Sequence, residues 1–200
     1  MKILVISDTH LPEFDSKEAD GLDRSDIDRF SFFPEVLRQK LHEADRIVHA
    51  GDFESDDAYN VFQKTGKLKA VYGNRDTEKI RSLLPEKLVF EESGIKFGVI
   101  HEAGRSLNDN TARWYILKEM DVDVLIYGHI HTPSIDEYDK KFLICPGSPT
   151  KARMSEPAVA EITIDEKEKK ITEIQIIPVA KAACGYLKFE EALIEKNEKK

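Results

Sequence analysis

Lys2-Ile3-Leu4-Val5-Ile6-Ser7-Asp8-Thr9-His10 is a short apolar, β-branched run that passes directly into a carboxylate and an imidazole. A run of this length, ended by polar residues, reads as a buried strand over Lys2 to Ser7. Working outward, the pattern recurs. Arg46 to Ala50 is a second strand, closed by Gly51-Asp52. Leu68 to Tyr72 is a third, closed by Gly73-Asn74. Between them lie helices over Phe33 to Glu43, with Pro34 in the first turn, and over Ser55 to Lys64, with Ser55 as N-cap and Gly66 as stop. The order β–α–β–α–β predicts parallel strands joined by crossover helices, an α/β architecture.

Beyond Asn74 the reading continues with a short helix over Thr77 to Leu84. A strand pair follows around Ser93-Gly94 (Leu88 to Phe90 and Ile95 to Ile100), then a helix over Leu107 to Met120 and a strand over Val124 to Tyr127. Four further strands (Ser134 to Tyr138, Phe142 to Cys145, Ala158 to Ile164, Lys170 to Pro178) look hairpin-connected, which predicts a second, more antiparallel sheet packed on the first. Leu11 to Arg29 holds seven acids against three bases and lacks apolar periodicity. It is read as a surface insertion beside the strand ends, spanning about residues 11–32 of a single domain at 1–180. Residues 181–200 are expected to be a charged extension.

In open α/β folds ligands bind beyond the carboxyl ends of the strands. Asp8, Asp52, Asn74, His101 and His129 each stand just after an expected strand. His10 and His131 follow Asp8 and His129 at a spacing of two, so each pair can reach one ion. Asp52 follows a glycine that permits a sharp turn, and a carboxylate can bridge two metals. Mixed oxygen and nitrogen donors suit Mn, Fe, Zn, Co or Ni better than Ca or Mg. Two such ions, roughly 3.5–4 Å apart, are the usual equipment for phosphoester hydrolysis.

The rest of the composition narrows the setting. A net charge of −8, from 38 acidic and 30 basic residues, opposes extended nucleic-acid binding but permits local contacts to a nucleotide. Two cysteines, Cys145 and Cys184, are too few for a disulfide framework. The first strand is too short for a signal peptide or membrane span and runs into the candidate site, so a cytoplasmic, membrane-free protein is expected. Self-association is allowed. His49 is expected in the core, His42 in solvent, and Trp114 and Tyr115 in the core.

As a set, Asp8-Thr9-His10, Gly51-Asp52, Gly73-Asn74-Arg75-Asp76, the lone His101 and Gly128-His129-Ile130-His131 resemble the signature of the calcineurin-like metallophosphoesterase superfamily. His49-Ala50-Gly51-Asp52 and Pro146-Gly147-Ser148 look like its small, single-domain archaeal and bacterial phosphodiesterases. The resemblance covers roughly residues 1–178. It implies the metallo-dependent phosphatase fold, a two-sheet αββα sandwich with mixed sheets and flanking helices. It also implies a metal-dependent phosphodiesterase acting on a small phosphodiester or nucleotide through a hydroxide activated by two divalent metals. Manganese stands first, with Ni, Fe, Co or Zn as alternatives. One ion would be held by Asp8, His10, Asp52 and His131, and the other by Asp52, Asn74, His101 and His129, with Asp52 as the bridge. Asp52, Asn74 and Arg75 would act on the substrate.

Arg75 departs from the histidine that many relatives place after the asparagine as general acid. A guanidinium does not give up its proton at ordinary pH, so Arg75 is expected to pair with phosphoryl oxygens or with Asp76. Glu102 stands where small relatives carry glycine. Alternatives within the same fold are a phosphomonoesterase, a nuclease, or a protein-binding scaffold like the retromer subunit. Nucleases of the superfamily are longer and carry DNA-binding segments, and scaffolds tend to lose ligands that are all present here.

Overall fold

The structure is a computed structural model that describes residues 1–13, 33–104 and 110–181. The expected insertion from residue 14 onward, the extension from 182 onward and residues 105–109 lie outside the described residues. Ten strands and four helices are described: β1 (Lys2–Ile6), α1 (Glu35–Glu43), β2 (Arg46–His49), α2 (Asp56–Gln63), β3 (Leu68–Ala70), α3 (Glu78–Leu83), β4 (Lys87–Glu92), β5 (Ile95–Ile100), α4 (Asn110–Glu119), β6 (Val124–Tyr127), β7 (Ser134–Tyr138), β8 (Lys141–Cys145), β9 (Ala158–Asp165) and β10 (Lys170–Pro178).

The strands form two mixed five-stranded sheets, ordered β10-β9-β1-β2-β3 and β4-β5-β6-β8-β7. β1, β2 and β3 run parallel, with Ile6 opposite His49 and His49 opposite Ala70. In the other sheet β5, β6 and β8 run parallel, with Ile100 opposite Tyr127. Alternation along β1 divides the core. Ile3 and Val5 pack with Val48, Phe97, Val99, Val124 and Ile126 between the sheets. Leu4 and Ile6 face the other way, onto Leu37, Leu41, Phe62 and Ile80 of α1, α2 and α3. The outer face of the second sheet, with Leu125 and Leu143, is covered by Leu117 of α4. The layers are therefore α/β/β/α, as the resemblance implies.

Two expectations about the strands and helix ends are corrected. β9 and β10 do not join the second sheet; β9 pairs antiparallel with β1, with Ile3 opposite Ile162, and completes the first sheet. Nearly every residue of β9 is buried, which fits a strand with neighbours on both edges and packing on both faces. Pro34 is the N-cap of α1 rather than part of its first turn, because its ψ of 149° is extended. Ser55 and Thr77 cap α2 and α3 by accepting the N–H groups of Ala58 and Ile80, each worth about 1 kcal/mol.

Tyr115 is 70% exposed, against the core position expected for it. Arg113 and Leu117, four residues apart, take the inward face of α4 instead. Arg113 can be buried because its guanidinium lies 4.6 Å above the Tyr127 ring and donates to the Ala103 carbonyl. Trp114 is half-buried against the same cluster.

Candidate metal centre

Parallel pairing brings the carboxyl ends of β1, β2, β3, β5 and β6 to one rim. Backbone bonds then fix the loops that leave it. Asp8 N–H donates to Gly51 O at 3.0 Å, His10 N–H to Asp52 O at 3.1 Å, and Gly128 N–H to His101 O at 3.0 Å. The two sheets are tied together at the same place, since His129 N–H donates to Asp8 Oδ2 at 3.0 Å and the His101 ring meets Ala50 O at 2.7 Å.

All seven candidate ligands come to this rim. Five of them sit in the left-handed region: Asp8 (φ 55°), His10 (43°), Asp52 (61°), His129 (72°) and His131 (62°). That conformation costs a non-glycine residue about 1–3 kcal/mol and collects at functional sites. Gly51, at φ 91°, makes the corresponding turn before Asp52.

The side chains form two groups. In the first, His10 Nε2 lies 3.2 Å from His131 Nε2, and Asp8 Oδ1 lies 3.1 Å from His131 Nε2 and 3.7 Å from His10 Nε2. In the second, Asn74 Oδ1 lies 3.0 Å from His101 Nε2 and 2.9 Å from His129 Nδ1. Asp52 Oδ2 stands between them, 3.7 Å from His10 Nε2 and 3.3 Å from His101 Nε2. The other Asp52 oxygen takes the Arg75 N–H at 2.7 Å.

These donors fit divalent cations. Asp8 Oδ1 is buried and has no hydrogen-bond donor among the described residues, an expensive condition for a carboxylate oxygen. Two imidazole nitrogens point at each other across 3.2 Å, an arrangement that a cation between them would satisfy at both ends. The atoms of Asp8, His10 and His131, and likewise those of Asp8, Asp52 and His101, lie within 4.8 Å of one another.

The electrostatics follow from the geometry. Burial opposes ionisation of Asp8, but the facing His10 and His131 rings outweigh it and hold the carboxyl well below the usual range. Asp52 is also lowered: burial raises it, while His101 and the Arg75 N–H act more strongly together. Burial pulls His101 down, but Asp52 more than compensates and leaves it raised. His49 is fully buried, stacks on Phe53 at 3.7 Å and contacts Thr9 Oγ1 and the Gly51 N–H. Burial pushes its pKa down to about 3. His42 is exposed, as expected.

Arg75 does not pair with Asp76. The buried Asp76 carboxylate already accepts the N–H groups of Gly73 (2.7 Å), Glu54 (2.9 Å) and Asp52 (3.0 Å). Arg75 Nη2 instead lies 3.5 Å from Glu54 Oε1, with its side chain 61% exposed on the rim. Glu54 was not singled out from the sequence, because nothing in its spacing marks it. Asp76, expected only as a partner for Arg75, instead ties three loop N–H groups together. Glu102 is exposed. Ser148, within the Pro146-Gly147-Ser148 segment, donates to Asp8 O at 2.7 Å and steadies the first loop.

An α/β/β/α sandwich with carboxylate, amide and imidazole groups gathered at one rim is the layout of a candidate metal centre. The sequence profile of the calcineurin-like phosphoesterase superfamily domain matches residues 1–167, and the chain belongs to that superfamily. It is 32% identical over 189 residues to a protein of Methanothermobacter thermautotrophicus named as a probable metallophosphoesterase, covering 94% of this chain and 99% of that one. A Methanocaldococcus jannaschii protein named as a phosphodiesterase is 25% identical over 182 residues, covering 84% of this chain and 96% of that one. In fold the chain is similar to the zinc-complexed Vps29 of Entamoeba histolytica, with a TM-score of 0.63 and 20% identity over 90% of this chain and all of that one. No helix among the described residues is long and apolar enough to cross a membrane.

Proposed function

We propose that this phosphoesterase is a two-metal phosphodiesterase acting on a small phosphodiester or nucleotide. The observation that carries the reading is the position of Asp52 Oδ2 between two donor groups, one ending in His10 Nε2 and the other in His101 Nε2. Asp8, His10, Asp52 and His131 would hold one ion, and Asp52, Asn74, His101 and His129 the other. When bound, such a pair makes a water acidic enough to attack at neutral pH and offsets the charge of the phosphoryl oxygens.

The remaining work falls to the chain itself. His101 and His131 are held with Nε2 toward the site because Nδ1 of each meets a backbone carbonyl, Ala50 O at 2.7 Å and Lys151 O at 2.6 Å. Asp76 holds the Asp52 and Gly73 loops at a fixed separation through their N–H groups. Arg75, on the rim beside Asp52, would contact a phosphoryl oxygen and gives no proton to the leaving group, which takes one from water or another residue. The similarity to the M. jannaschii phosphodiesterase supports a diester over a monoester.

The test is metal-stripped protein reloaded with Mn2+ and assayed on chromogenic diesters and monoesters beside Asp52→Asn. Wild type should hold two ions per chain and cleave diesters, and Asp52→Asn should lose most of both properties. Asp52→Asn with full activity after metal stripping would sink the mechanism. A wild type that neither binds metal nor cleaves either substrate would favour a scaffold.

A further inference from the structure

Of the three imidazoles that present Nε2 to the rim, His101 and His131 are braced by backbone carbonyls, which the fold supplies whatever the side chains are. His10 differs. Its Nδ1 meets a side chain, Glu54 Oε2, at 3.0 Å. The same oxygen accepts Lys151 Nζ at 3.0 Å. Lys151 in turn accepts the His131 ring at its carbonyl, at 2.6 Å. The contacts close a ring from His10 to Glu54 to Lys151 to His131, and return across the 3.2 Å gap between the two Nε2 atoms. Glu54 is held for this task by its own backbone, at φ 77° and with its N–H on Asp76.

We infer that the Glu54–Lys151 pair is a clamp that sets the separation and orientation of His10 and His131, with Glu54 a positioning residue for the ion proposed there. The inference rests on the two-ion reading. The pair is partly exposed, with side-chain accessibilities of 29% and 54%, and exposed pairs add little to folding stability. Its effect should fall on metal affinity instead, where loss of a carboxylate behind a ligand histidine typically costs 10–100-fold. Glu54 also carries Arg75 on its second oxygen, 3.5 Å from Nη2, so one carboxylate braces a ligand and a rim cation together.

The experiment is calorimetric titration of Mn2+ into metal-free wild type, Glu54→Gln and Lys151→Met, with melting curves of each. Glu168→Gln, an exposed turn carboxylate, controls for the loss of one negative charge. Glu54→Gln should melt with the wild type and bind Mn2+ roughly 10–100-fold more weakly. Lys151→Met, which keeps the carbonyl under His131, should weaken binding by a smaller factor, and Glu168→Gln should not weaken it. The clamp is overturned if Glu54→Gln binds Mn2+ as wild type does, or if Glu168→Gln loses as much. Should Glu54→Gln misfold, an unchanged affinity in Lys151→Met overturns it. A wild type that takes up no Mn2+ overturns the two-ion reading and the clamp with it, which separates the two failures.

Discussion

Adding one methyl group at Gly73 should disable the site without unfolding the protein. A Cβ built there would lie 2.1 Å from Asp52 Oδ1 and 2.5 Å from Asp52 N. Carbon and oxygen that are not bonded need about 3 Å or more, so the loop after β3 and the Asp52 loop must part by ~1 Å. The crowded atom is not the free end of a flexible chain. Asp52 Oδ1 is held by the Arg75 N–H at 2.7 Å, and Asp52 N by Asp76 Oδ2 at 3.0 Å. Overpacking of this kind costs roughly 1–3 kcal/mol of stability. A misplacement of about 1 Å in catalytic geometry costs on the order of 100-fold in rate. Gly73→Ala should therefore melt a few degrees lower and lose about 100-fold in kcat/KM on a chromogenic diester with saturating Mn2+. Gly66→Ala is the matched control. At φ 69° an alanine there is also strained, but nothing lies within 4 Å of its Cβ, so stability should fall by about 1 kcal/mol with activity intact. If Gly73→Ala keeps its rate within threefold of wild type, Asp52 does not need the placement argued for it.

Two further outcomes are expected. The metal-free protein should lose stability as pH falls from 6.5 toward 3, because the unfolded His49 takes up a proton there while the buried ring, pushed down to about 3, does not. That contribution is on the order of 4 kcal/mol across the window, and urea melts of wild type against His49→Gln should show it; parallel acid profiles would refute it. With an arginine at position 75, which gives up no proton at ordinary pH, the rate on a series of aryl diesters should fall steeply as the leaving group becomes more basic, and a flat dependence would mean that the leaving group is protonated after all.

The site was legible because its chemistry sits at strand ends. Asp8, Asp52, Asn74, His101 and His129 each follow a short apolar run, and the local pattern that marks a strand also marks where it stops. His10 and His131 came with their neighbours. The sheet to which β9 belongs was not legible, since Ala158 to Asp165 would pair equally well with either edge until β1 is seen to need a second neighbour. The inward face of α4 was not legible either: Tyr115, expected in the core, is exposed, and Arg113, for which the sequence offers no expectation, is buried. Hydropathy favours the tyrosine for the core, but the arginine has a ring, Tyr127, and a carbonyl, Ala103 O, waiting for it. Glu54 carried no signal because its partners are 44 and 97 positions away.

The five left-handed candidate ligands also need restraint from both sheets. Each such residue would relax if its loop were free, and at 1–3 kcal/mol apiece the set could not be held by local turns alone. The cross-sheet bonds supply the restraint. Asp8 is gripped by the His129 N–H through its carboxylate, by Gly51 O through its N–H, and by Ser148 through its carbonyl. His101 reaches from the second sheet to Ala50 of the first. Candidate ligands after β1, β2 and β3 are thus fixed by those after β5 and β6, and each sheet holds the other's strained turns in place. Separating the sheets by any means should relax the turns and scatter the donors together, so metal affinity and sheet packing should be lost in one transition rather than two.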